Sequence, residues 1–188
     1  MSDREYRACV EIELRSDGDG LTLGGYAAVF NSMSEDLGGF REIIRPGAFR
    51  DSIAGGADVR LLINHDGMPL ARTASGTLQL AEDSRGLRIS AKLDATDPDV
   101  QRLAPKIRRG DMNQMSFGFV TKRDQWRQEG DTQIRELHAV DLFDVSTVTY
   151  PAYKMTEMAL RSLDAARKAR GGMSRSVAEY CLRLAKVS

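Results

Sequence analysis

Residues 114–123 read QMSFGFVTKR and alternate large apolar side chains with small or polar ones. This period of two predicts a β-strand, because successive side chains of a strand point to opposite faces of the sheet. The large side chains would enter the core, and Ser116 and Gly118 would share the opposite face. A serine between buried aromatic residues is held in place, and Gly118 leaves room for a substrate backbone to approach. A small residue packed in an ordinary strand would give the same pattern.

Residues 142–149 read LFDVSTVT and predict a second apolar strand, which ends before Pro151. Strict alternation places Leu142, Asp144 and Ser146 on one face of this strand. Burying a carboxylate is unfavourable unless it has a partner, and orienting an imidazole ring would give Asp144 that partner. The alternative is an edge strand in which Asp144 lies in water.

The chain has two histidines, His65 and His138, so the choice of a general base is narrow. His65 ends the run DVRLLINH at residues 58–65, which predicts a strand with apolar residues at every second position. A base at the end of a rigid strand is well held and still reachable. The alternative is a histidine that only caps the strand end.

Other elements follow from periodicity and turn residues. Further strands are predicted at residues 7–15, 21–30, 70–80, 86–94 and 133–140, the first two as a hairpin and the last after a polar loop. A short helix is predicted at 48–53 and a longer one at 97–110, where Asp97 can cap the first turn. We therefore expect a mainly β domain with helices (α+β) over residues 1–155.

Residues 156–188 predict a helical tail, interrupted at Gly171 and Gly172. Residues 152–188 hold eight Lys or Arg and three Asp or Glu, although the whole chain has a formal net charge of zero. The zero net charge argues against nucleic-acid binding by the chain as a whole. The basic tail could contact nucleic acid or an acidic partner, or it could be a solvated amphipathic helix.

Cofactor, metal and membrane sites are not indicated by the composition. The two cysteines, Cys9 and Cys181, lie near opposite ends of the chain, which is neither a disulfide framework nor a metal-binding spacing. No apolar run approaches the roughly 20 residues of a membrane span. No secretory signal is visible, so we expect a reducing cytosol.

Five sequence blocks occur in an order that resembles one known family. They are GYAAVFN at 25–31, IRPGAF at 44–49, LINHD at 62–66, MSFGF at 115–119 and LFDVSTVTYPA at 142–152. Together they resemble the prohead maturation proteases of tailed phages of the HK97 type. The resemblance spans roughly residues 20–155, and it is the ordered set of blocks that makes it specific.

This resemblance implies an assemblin-like fold, the β-barrel surrounded by helices of the herpesvirus assemblin proteases. It implies a serine endopeptidase in the host cytoplasm, inside the assembling procapsid. Its substrates would be a scaffold protein, the scaffolding segment of the major capsid protein, and the protease itself. Assemblin-like enzymes are typically activated by dimerisation, so we expect a homo-oligomer, a dimer or higher. A cofactor, a membrane and nucleic acid are not expected as partners.

The resemblance also implies roles for individual residues. Ser116 would be the nucleophile and His65 the general base. Asp144 would orient the imidazole, because it falls near the place where the assemblin enzymes carry a second histidine. His138 and Asp141 are the alternatives for this third role. The assemblin enzymes use paired arginines for the oxyanion hole, but residues 150–153 contain no arginine, so those donors are not assigned.

Two other functions fit the same sequence. One is a catalytically inactive capsid assembly factor, a scaffold or chaperone on the same fold, although the presence of both Ser116 and His65 favours the enzyme. The other is an unrelated β-rich binding module. The basic tail at 156–188 is either a cleavable assembly tether or a helix that packs on the domain or at a dimer interface.

Overall fold

The structure, a computed structural model, describes residues 4–9, 12–17, 20–150 and 162–166. Its elements in chain order are β1 (Glu5–Cys9), β2 (Ile12–Asp17), β3 (Gly20–Val29), β4 (Phe40–Ile44), α1 (Arg50–Ala54), β5 (Arg60–Ile63), β6 (Asp66–Arg72), β7 (Leu78–Glu82), β8 (Gly86–Leu93), α2 (Pro98–Arg108), β9 (Gln114–Glu129) and β10 (Thr132–Val148). Residues 162–166 are also helical. The predicted mainly β fold with few helices is confirmed.

The strands form two sheets. The first sheet has the order β1-β9-β10-β5-β6, with β4 beside β10, and the second has the order β2-β3-β8-β7. β10 is long enough to have two parallel neighbours on one edge, β4 along its first part and β5 along its last. The end of β5 therefore lies beside the end of β10, and β9 is the next strand across.

Apolar side chains from both sheets meet in a single buried cluster. Met115, Phe117 and Phe119 of β9 are at most 1% exposed. The Phe117 ring stacks on Phe119, with the centroids 4.9 Å apart, and meets the edge of Phe49 at 5.2 Å. The predicted core face of residues 114–123 is confirmed, so the opposite face of β9 is the one that carries Ser116 and Gly118.

Several predicted boundaries were wrong for reasons of tertiary pairing. The strand predicted at 7–15 is two strands in different sheets, because β1 pairs with β9 and β2 pairs with β3. The predicted polar loop before residue 133 is absent, since β9 and β10 pair as one long hairpin that turns at Gly130. The run 70–80 crosses a turn at 73–76 between β6 and β7, and β4 was not predicted as a strand.

Two further expectations were confirmed, and several others concern residues outside the described ranges. β2 and β3 form the expected hairpin, and α2 begins where the side chain of Asp97 accepts the backbone N–H of Asp99 at 2.8 Å. Among the described residues no strand pairing closes either sheet, and the likeness to assemblins stays a prediction. The domain boundary after 155, the break at 171–172 and Cys181 lie outside the described residues, and so does most of the tail.

A buried ion cluster joins four strands of the first sheet. Arg135 of β10 donates to Glu5 of β1 at 2.7 Å, to Glu42 of β4 at 3.3 Å and to Asp124 of β9 at 2.7 Å. Arg7 bridges the two glutamates from β1. Burial raises the pKa of Glu5, but the charges and hydrogen bonds of Arg135 and Arg7 outweigh it, so that this pKa lies below its usual value. The cluster fixes β1 against β9.

Replacing Arg135 by Met is expected to destabilise the fold by about 3–5 kcal/mol at neutral pH, because Arg7 is left to compensate two buried carboxylates. In the wild type, the lowered pKa of Glu5 contributes stability above its usual value of 4.5, and this is lost as the pH falls through the folded pKa. In the variant, the burial that raises the pKa of Glu5 is no longer opposed by Arg135, so protonation of Glu5 relieves the defect. Denaturant unfolding at neutral and acid pH should show the difference from wild type shrinking in acid.

Arg41→Met is the control, because Arg41 is exposed and precedes Glu42 on β4, so its side chain points to the opposite face of the strand. The free energy of unfolding of Arg41→Met should differ from that of the wild type by at most about 0.5 kcal/mol. An Arg135→Met protein as stable as this control would show that the cluster does not stabilise the first sheet.

Candidate active site

His65 lies in a two-residue turn and not at the end of a strand as predicted. β5 ends at Ile63, which pairs with Asp66 of β6, so Asn64 and His65 form the hairpin loop. Their φ angles are +54° and +59°, as the favoured two-residue hairpin turn requires at both central positions. Left-handed backbone costs roughly 1–2 kcal/mol for most residues, and asparagine tolerates it better than histidine, so other contacts must hold His65 in this turn.

The hairpin loop is anchored to β10. The backbone N–H of Asn64 donates to the carbonyl of Thr147 at 2.9 Å, and its side-chain oxygen accepts the backbone N–H of Thr149 at 2.9 Å. The backbone N–H of His65 donates to the hydroxyl of Ser146 at 3.2 Å. These hydrogen bonds fix the position of the His65 imidazole relative to the first sheet.

The structure brings Ser116, His65 and Asp144 together. His65 Nδ1 is 2.5 Å from Asp144 Oδ1, and His65 Nε2 is 2.7 Å from Ser116 Oγ. An ionised carboxylate can only accept, so Nδ1 carries the proton and Nε2 is left to accept the Ser116 hydroxyl. Asp144 is 3% exposed and Ser116 has no exposed surface. The alternative of Asp144 as a solvated edge residue is excluded by this burial.

A β-bulge aims Asp144 at the site. Leu142 pairs with Phe119, but Asp144 pairs with Gly118, so that Phe143 is the extra residue on β10. The bulge reverses the alternation, and Leu142 joins the core instead of sharing the face of Asp144 as predicted. Bulges often re-aim side chains beside active sites, because one inserted residue flips those that follow.

The space beside Gly118 is filled by the protein itself. A Cβ atom there would lie 2.5 Å from Asp144 Oδ2 and 2.9 Å from Cε1 of Tyr6. The prediction that Gly118 leaves room for a substrate backbone was therefore wrong: the glycine makes room for Asp144 and Tyr6. Because residue 118 has no side chain, the carboxylate of Asp144 can lie close to the backbone of β9.

Replacing Gly118 by Ala is expected to lower the peptidase turnover that the resemblance implies by about 10²-fold, because a displacement of about 1 Å at Asp144 can reduce the rate by that factor. The measurement is the rate of substrate trimming by mass spectrometry. Gly24→Ala in β3 is the matched control, since a Cβ there meets only Ile89 O at an ordinary 3.8 Å. Equal rates for the two variants would contradict this role of Gly118.

Tyr6 is a site residue that the sequence did not reveal. Its ring centroid is 4.2 Å from that of His65, and Tyr6 pairs with Gly118 across β1 and β9. No motif marks it, since only the pairing of β1 with β9 brings it here. Ser146 was visible only as a residue on the face of Asp144.

The two alternatives for the third role lie away from Ser116 and His65. His138 is six residues before Asp144 on β10, about 20 Å along the strand, and its Nε2 is 3.5 Å from Glu136 Oε2. Asp141 is about half exposed and pairs with Lys122 Nζ at 3.1 Å. Neither side chain is placed to orient the imidazole of His65.

The part of the chain that the structure describes holds neither a metal-binding group of side chains nor a membrane-spanning helix. Within residues 4–9, 12–17, 20–150 and 162–166, no group of three or more His, Cys, Asp or Glu side chains could hold a metal ion. No helix in those ranges is long and apolar enough to cross a membrane. Of the segment 150–153, considered for the oxyanion hole, only Tyr150 is described.

Comparison with known proteins supports the resemblance drawn from the five blocks. The caudovirus prohead serine protease family matches residues 10–169, which include the segments of Ser116, His65 and Asp144. No curated protein matches the chain. Among solved structures, the chain is similar to the bacteriophage T4 capsid assembly protease, gp21, with a TM-score of 0.46 and 13% identity over 77% of this chain and 98% of that one. Since the family match covers most of its length, the chain belongs to the caudovirus prohead serine proteases.

Proposed function

We propose that this chain is a serine endopeptidase of procapsid maturation, which acts inside the assembling procapsid in the host cytoplasm. Its substrates are a scaffold protein or the scaffolding segment of the major capsid protein, and the protease itself. The observation that carries the proposal is the hydrogen-bonded series Ser116–His65–Asp144, on the face of β9 and β10 opposite the apolar core. The family match supports the setting of capsid assembly.

The reaction is acyl transfer through a serine ester. His65 Nε2 takes the proton of Ser116 Oγ while that oxygen attacks the peptide carbonyl carbon, which gives a tetrahedral oxyanion. When the C–N bond breaks, His65 returns the proton to the leaving amine. A water molecule then attacks the ester with His65 again as base, and the new carboxyl end leaves as Ser116 regains its proton.

Asp144 holds the imidazole in the productive tautomer. Its oxygen lies 2.5 Å from Nδ1, so the ring keeps its proton there and presents the unprotonated Nε2 to Ser116. When Nε2 becomes protonated, the carboxylate also stabilises the positive imidazolium. The low exposure of Asp144 strengthens this interaction, since less water screens it.

A substrate carbonyl reaches Ser116 only after a neighbouring element moves. Ser116 has no exposed surface, and Tyr6 packs against the imidazole that serves it. A covered nucleophile fits a protease that is held inactive until assembly. We propose that the active form is a homo-oligomer, a dimer or higher, formed in the procapsid.

The experiment is co-expression with the major capsid protein that the chain is proposed to trim, followed by a serine-directed phosphonylating probe. We expect the capsid protein or this chain to be trimmed, and peptide mapping to place the adduct on Ser116. An adduct on a different serine would overturn the assignment of the nucleophile. Complete procapsids with no trimming and no adduct would favour the inactive assembly factor. Such a protein would take part in capsid assembly without cleaving a peptide bond.

A further inference from the structure

We infer that Ser146 is a positioning residue of this site, which holds the His65–Asp144 pair in its working geometry. The inference rests on the proposed function, because it assigns a role in the same hydrogen-bonded series. Ser146 pairs with Ser116 across β10 and β9, and it has no exposed surface. Its hydroxyl is therefore shielded from bulk solvent.

The hydroxyl of Ser146 lies between the base and its carboxylate. Its oxygen is 3.2 Å from Asp144 Oδ1 and 3.2 Å from His65 Nδ1. It also accepts the backbone N–H of His65 at 3.2 Å. One hydroxyl thus touches the ring, the backbone and the partner of His65.

The donors and acceptors of these groups match one arrangement. A hydroxyl has one proton to donate and two lone pairs to accept with. The carboxylate of Asp144 can only accept, so it takes the Ser146 proton. One lone pair accepts the backbone N–H of His65. The Nδ1 proton of His65 is donated to Asp144, so Ser146 Oγ is only a longer contact of Nδ1 at 3.2 Å. The Ser146 hydroxyl therefore makes one donated and one accepted hydrogen bond, and both join it to the His65–Asp144 pair.

The neighbouring residue shows that this arrangement is not a general property of β10. Thr147 is equally buried, but its hydroxyl has no hydrogen-bond partner among the described residues. It follows Ser146 in the strand, so its side chain points to the opposite face. Thr147 is therefore a matched control for a buried hydroxyl on the same strand.

Loss of the Ser146 hydroxyl would remove two constraints together. The carboxylate of Asp144 would lose a donor, and the backbone N–H of His65 would be left without an acceptor. His65 has a left-handed φ of +59°, so its turn depends on such anchors. We expect Ser146→Ala to lower kcat by roughly 10–10²-fold with KM nearly unchanged, because the imidazole ring is less often positioned to accept the proton of Ser116.

The first test is proton NMR of the full chain, which needs no substrate. A short N–H···O bond between His65 Nδ1 and Asp144 should give a proton signal far downfield, and a His138→Gln protein excludes the other histidine as its source. We expect Ser146→Ala to shift and broaden this signal, and Thr147→Val to leave it in place. An unchanged signal in Ser146→Ala would overturn the inference.

The second test uses turnover, with Ser146→Thr as the conservative variant that keeps a hydroxyl. Thermal unfolding identifies any variant that fails to fold, and the comparison uses the folded ones. We expect Ser146→Thr to retain the downfield signal and more turnover than Ser146→Ala. Full turnover in Ser146→Ala would contradict the positioning role. If wild type shows the downfield signal but no peptidase activity in procapsids, the proposed function fails while the contacts of Ser146 stand.

Discussion

Replacing Ser116 by Ala is expected to lower the peptidase rate by about 10⁶-fold, which is the size of the loss when the serine of a catalytic triad is removed. Without Oγ, no acyl-enzyme forms, and His65 Nε2 loses the group it is placed to deprotonate at 2.7 Å. Stability should change little, since the change removes one atom from a buried position. The measurement is the rate of trimming of the co-expressed capsid protein, followed by intact mass.

Two controls make this result specific to the site. Ser90→Ala, on β8 of the second sheet, should trim at the wild-type rate. The double variant Ser116→Ala with His65→Gln should be no slower than Ser116→Ala alone, because groups that act as one unit are not additive. Equal trimming by wild type and Ser116→Ala would show that the nucleophile is another residue.

Replacing Asp144 by Asn is expected to lower turnover by about 10⁴-fold without unfolding the protein. An amide can donate through Nδ2 to Nδ1 of His65, which places the ring proton on Nε2 instead. That proton then points at Ser116 Oγ, so the ring can no longer accept the serine proton. The rate is measured on procapsids, and the tautomer by the nitrogen chemical shifts of the two histidines.

The chain offers matched controls for this variant on the same strand. Asp141→Asn changes a half-exposed carboxyl three residues earlier, and His138→Gln removes the other histidine considered for the third role. Both should keep nearly full turnover. A His138→Gln protein as slow as Asp144→Asn, or an Asp144→Asn protein at the wild-type rate, would contradict the role of Asp144.

Different sets of contacts hold the different residues of the site in position. The ion cluster of Arg135 fixes β1, and β1 places Tyr6 against His65. The bonds of Asn64 and Ser146 fix the hairpin turn, and Gly118 keeps space for Asp144. Stability and activity should therefore separate: Arg135 variants act mainly on folding, and Gly118 or Ser146 variants mainly on turnover.

Local pattern alone determined much of this protein. Alternation in residues 114–123 separates the core residues from Ser116, because side-chain direction in a strand follows position. The capped helix at Asp97 and the hairpin of β2 and β3 follow equally from local chemistry. The family was recognisable from five blocks in order, and three of these blocks contain His65, Ser116 and Asp144.

Tertiary structure decided what local pattern could not. Strict alternation put Leu142 beside Asp144, but the bulge at Phe143 separates them, and a bulge is defined only by the partner strand β9. His65 was expected to end a strand, whereas its place in a turn depends on pairing with β6. Tyr6 is 59 residues from His65 in sequence, and only the pairing of β1 with β9 brings their rings to 4.2 Å. Sequence therefore determined which residues carry the chemistry proposed here, and long-range strand pairing decided their geometry, because a contact between strands depends on both partners at once.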